Sequence, residues 1–421
     1  MSDIDKLEQI LSLLKNSYTS TNSSQLLEIS KLLNILSKDL NMYIEVLFQG
    51  LYSNSFNDEE ITKELHQSLA VNLKNIIEEK KSELNNEQII YIIKKLFGLY
   101  FPKIVYQNLL KDSLINTFQY ILTTLLSSLW KKDNNYDFES LFNLLLCNIK
   151  KEFEDKNELI IYQKIVIKFI KGIFDSEPFV NENNFDKIIN VYYFDVLDIV
   201  FNNVHKYIDP EKNMFSEDYL IILDELIEDM YINMNNIGKI ESIDKVKYFE
   251  VYSNMFKKYG KIIYELIKIQ LPLDEESKQV FNNQNPIISF NLSKNESLCS
   301  KINTMKSKCF QFISFSIQKL SIKLQEKSNL SLIIQDQSFI ELFVDLMKLV
   351  IKSLEDILSN KGKFHLIKIS KEGIFTSDSN YNNLLYQMFL YLNRCLLRDP
   401  IKKEFSSYIK YIIPFSNFRR K

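Results

Sequence analysis

An all-α fold of antiparallel helix pairs, stacked one after another, is what this sequence predicts, and three observations carry the prediction. Only 7 Gly and 7 Pro occur in 421 residues, about a quarter to a third of ordinary usage. Sheet proteins need those residues at their many turns, whereas long helices joined by short polar links do not. Apolar residues recur at helical spacing from one end to the other. Breaks between the apolar stripes are short and polar, as at 131–135, 209–213 and 235–238.

Ile4, Leu7, Ile10, Leu11 and Leu14 share one face of a first helix. Ser23 and Ser24 offer an N-cap to a second, which carries Leu26, Leu27, Ile29, Leu32, Leu33 and Leu36. A short third helix spans 42–51. The acidic run at 58–60 then opens a long one reaching Lys80, with its charge at the positive end of the helix dipole. Asn85, Asn86 and Glu87 open the next, which carries Ile89, Ile90, Ile92, Ile93, Leu96 and Phe97. Pro102 interrupts that run just after Phe101. Further helices are expected near 103–130, 137–150, 156–174, 185–206 and 216–234, then 242–270, 297–324, 335–359, 381–397 and 400–412. Two longer breaks are expected to be loops or flexible inserts. One is 271–295, with Pro272, Pro286 and an acidic trio at 274–276; the other is 359–380, with Gly362 and Gly373.

Paired helices recurring every roughly 40–50 residues match the HEAT class of α-solenoid. One or two closed helical bundles are the rival architecture. No sharp shift in composition divides the chain, which favours a continuous array: repeats over 1–130, continuing through 131–421. The hydrophobic share of 46% is ample for a core. Asn, Lys, Ile, Phe and Tyr are abundant while Ala, Gly, Pro and Arg are scarce. The abundant set shares A/T-rich codons, so genome base composition accounts for it and Asn or Lys clusters carry little weight of their own.

Fifty-two basic against 54 acidic residues give a net charge of −2, which argues against direct nucleic-acid binding along the chain. Cys147, Cys299, Cys309 and Cys395 show no CxxC spacing and read as reduced thiols of an intracellular protein. His66, His205 and His365 are isolated from one another, so no zinc site is expected. The N-terminus lacks the basic stretch of a signal peptide. The longest uncharged run, 113–130, is interrupted by Asn116, Gln119, Thr123, Thr124, Ser127 and Ser128. It reads as a buried amphipathic helix rather than a membrane span. No phosphate-binding loop, nucleophile elbow or catalytic carboxylate pair is present, so no enzyme and no cofactor are expected.

Residues 65–77 stand out, because Ala70 is the only alanine of the chain. A methyl side chain lets two packed helices meet more closely than Leu or Ile would. Ala70, Leu73 and Ile76 fall three apart on one stripe, with Lys74 and Asn75 on adjoining, more exposed faces. The segment resembles a helix in the N-terminal repeats of the importin-β (karyopherin-β) nuclear transport receptors, which reads apolar-Arg-x-x-Ala-Ala-x-x-Leu-Lys-Asn-x-apolar. Leu69, Ala70, Leu73, Lys74, Asn75 and Ile76 match it. Upstream, Leu27 and Glu28 through Leu33, then Tyr43 to Leu51, look like the two preceding family elements. Phe101 and Pro102 with Tyr106, Leu109 and Leu110 resemble the family's Phe-Pro-x-x-Trp-Pro-x-Leu segment. His66 stands at the family's Arg position, Leu69 at its first Ala, and both of its Trp positions are lost. The resemblance covers about residues 3–130. Full-length receptors of that family are about twice this length, so the chain would be a fragment or a shortened relative.

The resemblance implies binding rather than chemistry: the small GTPase Ran in its GTP form on the N-terminal repeats, protein cargo on the concave face, and contacts with nuclear pore proteins. Residence in both cytoplasm and nucleus follows from it. Lys74 and Asn75 are the nameable Ran-facing candidates. Asp224, Glu225, Glu228 and Asp229 share one helix face, which is either a docking face for basic cargo or an ordinary solvated face. The alternative function is a HEAT-like scaffold subunit of a multiprotein complex, with no dependence on a GTPase.

Overall fold

The computed structural model describes residues 22–52, 59–96, 112–132, 194–209, 211–212, 214–237, 245–273, 285–289, 296–320, 337–359, 367–370, 373–376 and 379–398, with residues 9, 12–14, 16–17, 143, 159–160, 162–165, 167 and 401. Most of the expected first helix, the segments at 137–150 and 400–412, and Phe101–Pro102 therefore lie outside the described residues. The described chain is overwhelmingly helical and falls into two compact units, Met1–Val196 and Leu197–Lys421.

The first unit contains α1 (Ser23–Leu36), α2 (Leu40–Tyr52), α3 (Glu59–Lys80), α4 (Asn86–Lys95) and α5 (Asp112–Lys132). The cap of α1 is one residue earlier than expected. Asn22 has extended backbone, and its side chain accepts from the Ser24 amide at 3.0 Å, so Ser23 is already helical. At α4 the expected opening is a reciprocal capping box: Asn85 accepts from the Gln88 amide at 2.9 Å, and Gln88 accepts from the Asn85 amide at 2.8 Å. The uncharged run is α5, which buries Leu114, Ile115, Phe118, Ile121, Leu122, Leu125, Leu126 and Leu129 as an amphipathic helix should. No described helix is long and apolar enough to cross a membrane.

The second unit contains α8 (Glu217–Ile237), α9 (Lys245–Lys268), α10 (Glu296–Leu320), α11 (Gln337–Ser359) and α12 (Ser379–Leu396). Ahead of them, α6 (Phe194–Asn202, from Leu197 on in this unit) stops at Asn203, and a single turn, α7 (Val204–Tyr207), follows. The expected helix at 185–206 is thus broken. Two short antiparallel hairpins depart from the all-helical expectation: β1 (Ile208–Asp209) with β2 (Met214–Phe215), and β3 (Ile367–Ser370) with β4 (Gly373–Thr376). The second lies inside the break that was expected to be a loop.

Within each unit the packing alternates. In the first, α3 packs on α5: Gln67 bonds Ser113 and Thr117, while Lys74 lies over the Tyr120 ring. Partners advance together along both sequences, so these helices run parallel. The same holds for α2 and α4, where Gln88 bonds Asn41 at 2.5 Å and both Tyr91 and Lys95 reach Glu45. In the second unit α8 runs parallel to α10, through Glu217 with Lys301, Glu228 with Lys308, and Tyr231 edge-on to Phe315. Helix α10 packs in turn on α12, and α9 packs on α11 through Phe256 against Phe339 and Phe343.

Ala70 is 0% exposed, with Leu69, Leu73 and Ile77 buried beside it. Overfilling such a site costs about 1–3 kcal/mol. Ala70→Leu is therefore expected to lower the urea midpoint by that free energy without loss of helical circular dichroism in dilute buffer. An unchanged midpoint would show the site to be loose.

Candidate functional site

In the first unit, Lys74 and Asn75 sit side by side on α3 but face different surroundings. The Lys74 ammonium lies 4.5 Å from the centroid of the Tyr120 ring and 4.0 Å from Glu78, one turn on. Both ends of that ion pair are about a third exposed (35% and 39%), so screening keeps its worth to a few tenths of a kcal/mol. A hydrogen bond to Glu78 holds the Tyr120 phenol above its ordinary pKa. Asn75 turns instead toward a groove between α1 and α3.

In the second unit the four acidic residues of α8 are brought together, but the face they share is turned to α10 rather than to open solvent. Asp229 is 2% exposed, and Glu228 pairs with Lys308 at 2.7 Å. Asp224 and Glu225 are half-buried. Burial pushes the Cys309 thiol of α10 well up, and the Asp224 charge adds to the effect. Cys299, Cys309 and Cys395 are all buried free thiols; Cys147 and His365 lie outside the described residues. His66 is buried rather than superficial, at 1% exposure. No group of three or more His, Cys, Asp or Glu suited to a metal occurs among the described residues.

The densest polar constellation is one that the sequence reading did not single out. Residues 285–289 are non-helical and almost wholly buried. The residue before a proline is biased to extended backbone, and Asn285, ahead of Pro286, turns the chain through its own side chain. Its Oδ1 accepts from the amides of Ile287 at 3.1 Å and Ile288 at 2.9 Å, and from the Ser353 hydroxyl at 2.5 Å. Its Nδ2 donates to the Ser353 carbonyl at 3.0 Å and to Asp356 at 2.9 Å, both on α11. On the other side, Asn303 of α10 grips Ser289 at both main-chain groups, accepting from its amide at 3.0 Å and donating to its carbonyl at 2.9 Å. Lys306, one turn on, donates to the Ile287 carbonyl at 2.5 Å and to the Ser289 hydroxyl at 3.3 Å. That hydroxyl donates to Gln270, just beyond α9, at 3.0 Å.

Lys306 is 0% exposed, and burial pulls its ammonium down to about 7. The nearby thiols Cys299 and Cys309 oppose that shift. A neutral amine can donate to Ile287 and Ser289 without stranding a charge in the core. Asn285, Ser289, Asn303 and Lys306 are each engaged with another part of the protein, while the buried Gln270 amide nitrogen has no hydrogen-bond partner among the described residues. The chemistry of the constellation is that of a clamp tying 285–289 to the end of α9, to α10 and to α11. One signal for it was present in the sequence: Lys306 falls in the apolar stripe of Cys299, Ile302, Cys309 and Ile313, where a lysine is out of place.

No protein-family model, no curated protein and no solved structure matches this chain.

Two outcomes follow from the clamp. Asn285→Ala leaves two buried amides without their acceptor and is expected to cost about 2–4 kcal/mol in urea unfolding; a cost below 0.5 kcal/mol, roughly the size of a surface effect, would refute the geometry. Between pH 7 and about 10.5 an unfolded lysine keeps a proton that buried Lys306 has shed. Unfolding free energy therefore rises with pH across that window, by up to about 1.4 kcal/mol per unit. Lys306→Met is expected to flatten that part of the pH profile, and an unaltered slope would show the ammonium to be charged in the folded protein.

Proposed function

We propose that this chain is an α-solenoid of HEAT-like helix pairs that acts by binding, as an importin-β-like nuclear transport receptor or a fragment of one. A recurring contact supports the architectural half: in both units, helices two apart among the described ones run parallel. A stack of that kind presents long lateral surfaces made of successive helices, suited to macromolecular partners rather than to a reaction centre. The resemblance of about residues 3–130 to the transport receptors supports the specific half.

On this reading Ran in its GTP form binds the N-terminal repeats, with Lys74 and Asn75 among the contacts, and protein cargo binds elsewhere on the array. Ran and cargo oppose each other because each favours a different curvature of the array. Nuclear pore proteins are further partners, and the chain moves between cytoplasm and nucleus. The scaffold reading, with no GTPase, has one observation in its favour. Lys74 is already engaged by Glu78 and the Tyr120 ring, which leaves it less available to a partner.

Pull-down with Ran locked in its GTP form separates the two. The transport reading predicts retention of the chain, no retention by the GDP form, and at least tenfold weaker binding by Lys74→Glu. No retention by either form, with helical circular dichroism intact, would leave the scaffold reading in its place.

A further inference from the structure

The groove that Asn75 faces is a built polar site. It has a volume of about 210 Å³ and runs between α1 and α3 over a floor contributed by α2. Ile29 and Leu33 of α1 and Ile76 of α3 supply apolar flanks, and Ser30, Asn34, Asn72, Asn75 and Glu79 supply polar atoms. Glu79 is the only charged residue among those lining it. No described cation lines it.

Two observations single out the ligand chemistry. The first is Tyr43, which lines the groove although only 4% of it is exposed. No hydrogen bond of its hydroxyl is found among the described residues, and burial alone pushes the phenol up to about 12. The hydroxyl is thus a neutral polar group on a groove-lining residue with no hydrogen bond among the described residues, and a phenol oxygen can accept a bond as well as donate one. The second is a pair of spare acceptors on α3. Asn72 spends an amide proton on the Ser68 carbonyl at 2.9 Å, which leaves its oxygen over. Glu79 brings a carboxylate with no ion pair among the described residues. A group with several donors and a positive charge satisfies such a lining, and apolar flanks suit an aliphatic stem behind it.

We infer that this groove binds an aliphatic primary ammonium, either the side chain of a lysine on a partner protein or a free diamine. Glu79 supplies the countercharge, the Asn72 oxygen and the Tyr43 hydroxyl accept from the ammonium, and Ile29, Leu33 and Ile76 cover the methylene stem. Ammonium has three donors and no acceptor, so a lining rich in oxygen is matched without leaving a proton unpaired. The assignment stands on the groove alone and holds whether or not Ran binds this chain.

Isothermal titration of the full chain tests it with three probes: 1,5-diaminopentane, a blocked Gly-Lys-Gly peptide, and that peptide acetylated on the lysine Nζ. Saturable one-to-one binding is expected for at least one of the two amines and none for the acetylated peptide. Tighter binding of the diamine assigns a free amine as ligand, and tighter binding of the peptide assigns a partner's lysine. Glu79→Gln, an exposed change that the fold tolerates, should weaken binding at least tenfold. Tyr43→Phe, which keeps the ring, should weaken it at least threefold with the circular dichroism unchanged. Absence of saturable heat from both amines, equal binding of the acetylated peptide, or unchanged affinity in both variants would overturn the assignment.

Discussion

The second unit depends on how one helix, α10, satisfies the polar groups it carries into the core. From Ile302 to Ile317 almost every side chain of that helix is buried, including Asn303, Lys306, Ser307, Ser314 and Ser316. A helix buried all round would ordinarily be apolar all round. Unpartnered amide and ammonium groups at such positions would cost several kcal/mol, enough to outweigh much of a domain's net stability. The non-helical segment 285–289 removes the problem by offering main-chain carbonyls and an amide at the places Asn303 and Lys306 reach. Asn285 closes the other side by binding α11. A stretch without regular structure is thereby hydrogen-bonded to α10, to α11 and to Gln270 at the end of α9.

That apolar contact has its own centre. Phe256 of α9 lies with its ring centroid 6.1 Å from Phe312 of α10, 5.2 Å from Phe339 and 5.7 Å from Phe343 of α11. Gly260, one turn on, has no side chain to crowd that ring; a Cβ there would come within 3.3 Å of it. Tyr391 of α12 passes its hydroxyl proton to the Phe343 carbonyl at 2.6 Å, and its ring meets Phe310 edge-on. Burial holds its phenol far above the ordinary range, so it stays a donor throughout physiological pH. Aromatic packing and a few aimed polar bonds thus make the helix packing of this unit specific rather than merely compact.

Much of the helical layout was legible in the sequence because its signals are local. The start of α4 was marked by Asn85 and Gln88, whose capping bonds involve only neighbours, and the period of α5 was marked by its buried leucines. Where local signals compete, the reading slipped: Asn22 outbids Ser23 as the cap of α1, and Asn203 ends α6 early. What eluded the sequence is whatever depends on partners far along the chain. Asn285 and Ser353 are 68 residues apart, so nothing near either announces the bond, and 271–295 reads as a flexible insert. The acidic face of α8 has a helical period that a solvated face would share. Tertiary packing alone buries Asp229, and the neighbouring α10 gives Glu228 its lysine. The groove beside Asn75 is equally silent in sequence, since it is made of residues from three helices.

Amide hydrogen exchange resolved to single residues tests the clamp most directly. The amides of Ile287, Ile288 and Ser289 lie outside any helix, yet each has a buried side-chain acceptor. The account predicts protection close to that of the central turns of α10, lost only in global unfolding. Exchange at the rate of an open loop would contradict it, leaving Asn303 and Lys306 to find their partners elsewhere.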